Sequence, residues 1–144
     1  MELKAVTPSV YFSSDAAKPD TARKFYADIQ MLTTGVGAPP DPEGLMRQFL
    51  SSEIAAEENK WQRSNATRWR NEEYDNLLHT AEGELDPVKR AAQFIAMNDM
   101  VVEDEVVIPV VSRPLVSAIS KKLKATLSGW DNTFWNLKDW YREG

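Results

Sequence analysis

Two stretches of this chain combine residue types that bind or react. The first runs from Thr33 to Pro42, where Thr34, Gly35, Val36, Gly37 and Ala38 lead through two prolines to Asp41. A segment ending in paired glycines leaves N–H and C=O groups with no side chain over them, so a ligand can approach the backbone closely. The plain alternative is an ordinary Gly/Pro connection. The second group is Asn65, Arg68 and Trp69. A guanidinium beside an indole and an amide can clamp a carboxylate or phosphate, or stack on a planar or sugar ring. Its plain alternative is a salt bridge from Arg68 to a loop carboxylate such as Asp41, with Trp69 in the core. Asn65-Ala66-Thr67 also fits a glycosylation acceptor, a pattern short enough to recur by chance.

Other chemistries lack their residues. His79 is the only histidine and there is no cysteine, so thiolate and transition-metal sites have no ligand set, and no calcium-loop pattern is present. No metal and no cofactor is expected. Asp75 lies four residues before His79, but both fall off the apolar face of their helix, where a solvated surface is the expected environment. No phosphate-binding glycine motif, nucleophile elbow or supported carboxylate pair is present, and nothing indicates an enzyme. A net charge of −5 and a pI near 4.9 argue against a nucleic-acid or anionic-membrane partner, which need positive surface. Local basic patches remain at Lys121 to Lys124 and at Arg63, Arg68 and Arg70 around two tryptophans.

The elements that must position these groups are those of a globular domain. Hydrophobic residues are 42% and charged residues 27% of 144, enough for a core without metals or disulfides. Asn71 is a suitable N-cap, and Tyr74, Leu77, Leu78 and Ala81 then share one helical face, with Gly83 as the stop signal. Asp86 caps a second helix with Pro87 in its first turn, and Val88, Ala91, Ala92 and Ile95 repeat the spacing towards Val102. The short Glu84-Leu85 connection predicts an antiparallel pair. The acidic run Glu103-Asp104-Glu105 reads as solvated. Leu3 to Val6, Val10 to Phe12, Ile29 to Thr34 and Val106 to Val111 are strand candidates, the last with Pro109 at an edge or irregularity. Pro42 to Leu50 predicts a short helix with Leu45, Met46 and Phe49 inward. Trp130 to Tyr141 holds three of the five tryptophans and needs something to pack against.

Asn65-Ala-Thr-Arg-Trp-Arg-Asn-Glu-Glu-Tyr-Asp-Asn-Leu-Leu78, Asp86-Pro-Val-Lys-Arg90 and Val107-Ile-Pro-Val-Val111, in that order, resemble the C-terminal part of the extracytoplasmic solute-binding proteins of ABC importers. The family is solute-binding protein family 5, which includes the oligopeptide- and dipeptide-binding proteins. The resemblance implies an α/β fold: the C-terminal lobe fragment of a type II periplasmic-binding-protein-like fold, with a mixed sheet and flanking helices. It assigns 1–112 to that lobe and 113–144 to a segment returning to an N-terminal lobe outside this chain. It implies solute binding for uptake, a periplasmic parent protein, an ABC permease as partner and no catalysis. Thr34, Gly35, Val36, Gly37, Ala38, Asp41, Asn65, Arg68 and Trp69 become the expected ligand-binding residues. Peptide-binding members carry an aspartate three positions before the residue matching Asp41. Ala38 stands there, so a solute without a free amino terminus is expected, such as a sugar, a conjugate or a blocked peptide. Two other classes stay open, namely a small interaction module using the tryptophan-rich tail and a glycan-processing enzyme using tryptophans as sugar platforms. Self-association through the C-terminal segment is expected of the fragment.

Overall fold

The computed structural model describes residues 2–15, 17–24, 27–33, 41–111, 118–127 and 136–144. Its elements are α1 (Pro8–Tyr11), α2 (Glu43–Met46), α3 (Glu72–Gly83), α4 (Pro87–Glu103), β1 (Leu123–Lys124) and β2 (Tyr141–Arg142), with 3₁₀ turns at Arg47–Phe49, Ser51–Glu53, Glu57–Asn59 and Leu137–Asp139.

α3 and α4 begin where their caps dictate. The Asn71 side chain accepts the Tyr74 N–H, and the Asp86 side chain accepts from Val88 and Lys89, satisfying donors that have no partner within the helix. Only Glu84 to Asp86 separate the two helices, so α4 folds back along α3. Accordingly Trp69, just ahead of α3, donates its indole N–H to Asp104 at the far end of α4, at 3.0 Å. α4 closes with the Val106 N–H on Val101 C=O and the Glu105 N–H on Val102 C=O, the paired bonds of a Schellman ending.

The core lies between these helices and the stretch through α2. Tyr74, Leu78 and Ala81 of α3 meet Phe94, Met97 and Val101 of α4, and Met46, Phe49 and Leu50 close the third side. Burying a side chain such as Leu78 or Met97 contributes about 1.5–3 kcal/mol. Trp69 and Phe49 both present edge-on geometry to the Tyr74 ring, at 5.0 and 6.5 Å between centroids. The Tyr74 hydroxyl donates to the Met46 carbonyl at 2.8 Å. Burial, with the Asp75 charge adding to it, holds that phenol protonated far above the ordinary tyrosine value.

Several sequence expectations are corrected by these positions. On α4 the buried residues are Phe94, Met97 and Val101, whereas Val88, Ala91, Ala92 and Ile95 are exposed. The helix is apolar on two sides, and its neighbours cover the one that spacing did not single out. Val10 and Tyr11 lie in α1 rather than in a strand, because Pro8 occupies its first turn and fixes a helical φ. Residues 3–6, 29–33 and 106–111 join no ladder among the described residues. The ladder present there is antiparallel, Leu123 opposite Arg142 and Lys124 opposite Tyr141. Leu45 faces solvent, since the turn after Met46 tightens to 3₁₀ and carries Phe49 and Leu50 inward instead.

Candidate functional site

The residue that organises the candidate site is Asn65, which is 1% exposed. Its amide nitrogen donates to the carbonyls of Phe49, Leu50 and Trp69 at 3.2, 3.0 and 3.1 Å. Its side-chain oxygen accepts from Thr67 Oγ1 at 2.8 Å and from the Arg68 N–H at 2.9 Å. The main chain of Asn65 pairs as well, donating to Glu53 and accepting from Ala55. An amide saturated this way holds two chain segments together and has nothing left for a solute.

Residues 55–64 therefore form a compact loop whose ends are tied together. Inside it, the Asn59 side chain accepts the Ala56 N–H and donates to the Ile54 carbonyl. At its base Glu53 takes Arg63 at 2.8 Å and the Ser64 hydroxyl at 3.1 Å. Burial pulls the Glu53 carboxyl upward, but the Ser64 hydrogen bonds and the Arg63 charge outweigh it, and the group sits below the usual glutamate range. Two consecutive bulky residues, Lys60 and Trp61, are held at φ 53° and 58°, and Arg68 is held at 61°. Non-glycine residues in this left-handed region carry strain that the surrounding bonds must sustain.

Two of these residues, Trp61 and Arg68, meet at one place with Lys24. Arg68 lies 5.5 Å from the centroid of the Trp61 ring and Lys24 lies 5.7 Å from it, both within cation–π range. An open concavity of about 340 Å³ runs beside them, lined by Ile54, Ala55, Ala56, Glu57, Glu58, Trp61, Arg68 and Arg70. A second hollow of about 200 Å³ lies on the Tyr11 to Arg23 side of Trp61. Among the described residues no ion pair engages Glu57, Glu58 or Arg70. Opposed charges flank an indole there, an arrangement able to hold a polar solute with a planar or apolar part.

The expected site residues separate in the fold. Arg68 reaches the Arg23 carbonyl at 3.2 Å and the Trp61 face. Asp41, the suggested partner of Arg68, instead takes Arg90, at 2.9 Å from Nη1 and 3.1 Å from Nη2. Arg90 also bonds Glu43 at 2.9 Å and the Ala81 carbonyl at 3.1 Å, and stacks on Phe94 at 4.7 Å. The Arg90 hydrogen bond, followed by the Glu43 N–H, holds the Asp41 carboxyl below the usual aspartate value. Trp69 packs against the core with its N–H on Asp104, so that acidic residue is engaged rather than merely solvated. Asp75 accepts the Ser51 N–H at 3.0 Å, apart from His79, which faces Glu82. Thr34, Gly35, Val36, Gly37 and Ala38 lie outside the described residues, as does the first half of the tryptophan-rich tail, residues 130–135. Trp140, within the described part, donates to Asn136 at 2.8 Å.

Trp61 and Arg90 are the residues that sequence reading passed over. The signal for Trp61 was present in the basic residues around two tryptophans. Which indole goes to the core is decided by the Asn65 network. Comparison of the chain with protein-family models, with curated proteins and with solved structures gives no match.

Proposed function

We propose that this chain is one lobe of an extracytoplasmic solute-binding receptor and that Arg68 and Trp61 belong to its solute-facing wall, with Gly35 to Ala38 as the ligand-binding residues that the resemblance implies. The observation that carries the reading is the open concavity beside Trp61, where a cation held against an indole is flanked by acidic and basic side chains that form no ion pair among the described residues. The resemblance of the three ordered sequence blocks to solute-binding proteins supports it. So does the Arg90 clamp on Asp41, which fixes the point where the Gly/Pro segment rejoins the helical core. In this reading Asn65 and Trp69 position the wall without touching solute. Solute capture requires a second lobe to complete the cleft and exclude water, and closure about a hinge is what a permease recognises. No step in that cycle is catalytic.

A single wall offers about half of a cleft's contacts, so binding by this chain alone is expected to be weak, in the millimolar range. The test is a ¹H–¹⁵N NMR titration of the labelled chain with free dipeptides, N-acetylated dipeptides and neutral sugars. The Trp61 indole and the amides of Gly35, Gly37 and Arg68 should shift together with one of these and not with free dipeptides, since Ala38 supplies no carboxylate for an ammonium. Shifts confined to other surfaces would refute the assignment. Turnover of a glycoside would replace it with an enzyme.

A further inference from the structure

α4 carries a second apolar face. Val88 is 77% exposed, Ile95 62%, Val102 49%, and Leu85 just ahead of the helix 94%. With Ala92 the helical members follow the alternating four- and three-residue steps of a helix–helix seam, 88, 92, 95, (99), 102, and Leu85 precedes them in the extended connection. At 100° per residue the row points about 150° away from the Phe94, Met97 and Val101 face that meets the core. A helix apolar on opposite sides is ordinarily covered on both.

We propose that the occupant of this face is a second copy of the chain, paired antiparallel through α4. The row has one polar break, Asp99, and a basic neighbour near its other end, Lys89. Among the described residues neither is in an ion pair. Antiparallel pairing about a two-fold axis between Ala92 and Ile95 sets Ala92 against Ile95 and Val88 against Asp99, with Lys89 one residue on from Val88. The same register brings Asp99 of each copy beside Lys89 of the other, so the break in the apolar row meets its counter-charge twice. A parallel pair would stack Asp99 on Asp99. The isologous arrangement thus satisfies both the spacing and the charges. A seam of about 21 Å covers less than the roughly 800 Å² per partner of a standard complex, so a weak dimer is expected.

Sedimentation equilibrium of the intact chain from micromolar to millimolar concentration should show a monomer–dimer equilibrium. Ile95→Glu, at an exposed position, should leave the circular dichroism unchanged and remove the dimer. Lys89→Glu and Asp99→Lys should each weaken it about fivefold or more, through two symmetric contacts. The double variant should recover wild-type association within about twofold. A chain that stays monomeric at millimolar concentration overturns the proposal and leaves the face to a different partner. A dimer that survives Ile95→Glu also overturns it, placing association elsewhere, such as the C-terminal segment. Failure of the double variant to recover overturns the antiparallel register.

Discussion

α3 and α4 lie side by side and contribute equally to one core, yet they stand differently towards solvent. α3 has a single apolar face of Tyr74, Leu78 and Ala81, and all of it is covered. α4 has two apolar faces, one covered and one open. A helix of the first kind is finished by its neighbour. A helix of the second kind is finished only by something further, and its outer face contributes little to the fold of a single copy. Stability and association should therefore divide cleanly between the two sides of α4.

The strongest way to break that division is to empty each side in turn. Met97→Ala and Leu78→Ala should each cost about 2–5 kcal/mol in urea unfolding, since both side chains are fully buried where collapse is restricted. Ile95→Ala, measured below micromolar concentration, should stay within about 0.5 kcal/mol, as for other surface changes. An Ile95→Ala loss equal to that of Met97→Ala would mean that the outer face is already covered within one copy.

A smaller effect sharpens the comparison at the start of α4, where attachment is ionic. Arg90→Met keeps an unbranched chain over Phe94 but removes the clamp on Asp41 and Glu43. Because the Asp41 value is depressed in the folded state, its contribution is fully present above its unfolded value of about 3.9 and is lost as pH falls through the folded value. The melting temperature of Arg90→Met should thus lie below wild type at neutral pH, with the gap closing as pH is lowered past about 4. A gap independent of pH would assign the role of Arg90 to packing and to the Ala81 carbonyl alone.

What was legible in the sequence follows the range of the forces involved. The starts of α3 and α4 could be read from Asn71, Asp86 and Pro87, because a cap is a local bond. The face of α4 could not, since Val88, Ala92 and Ile95 are as apolar as Phe94, Met97 and Val101, and only the presence of Tyr74 and α2 decides between them. The fate of the two indoles was hidden for a similar reason. Trp61 and Trp69 both sit among arginines, and the Asn65 amide, gathering carbonyls from Phe49 to Trp69, turns one inward and leaves the other at the surface. The suggested pairing of Asp41 with Arg68 fails, because the cation that reaches Asp41 is Arg90, 49 residues away. Val107 to Val111 has the composition of a strand, and composition supplies no neighbouring edge.

The smallest effect concerns how the two helices end. α3 has glycine as its last residue, Gly83, but continues into extended backbone at Glu84 and makes no use of a left-handed conformation. α4 turns through a left-handed residue that glycine would occupy without cost, and has Glu105 there at φ 54°. Each helix thus carries the residue that suits the other. A Cβ added at Gly83 meets nothing within 4 Å, so Gly83→Ala should stabilise by about 0.5–1 kcal/mol through the entropy of the unfolded chain. Glu105→Gly relieves a left-handed penalty of roughly 1–2 kcal/mol, offset by about 0.5–1 kcal/mol of added chain freedom, for a net gain of up to about 1 kcal/mol. The sites lie at opposite ends of the helix pair and share no partner, so the gains should add within about 0.5 kcal/mol in thermal unfolding. Stabilisation by Gly83→Ala with a loss from Glu105→Gly would show that the Glu105 side chain has a role at the end of α4 that outweighs its backbone strain.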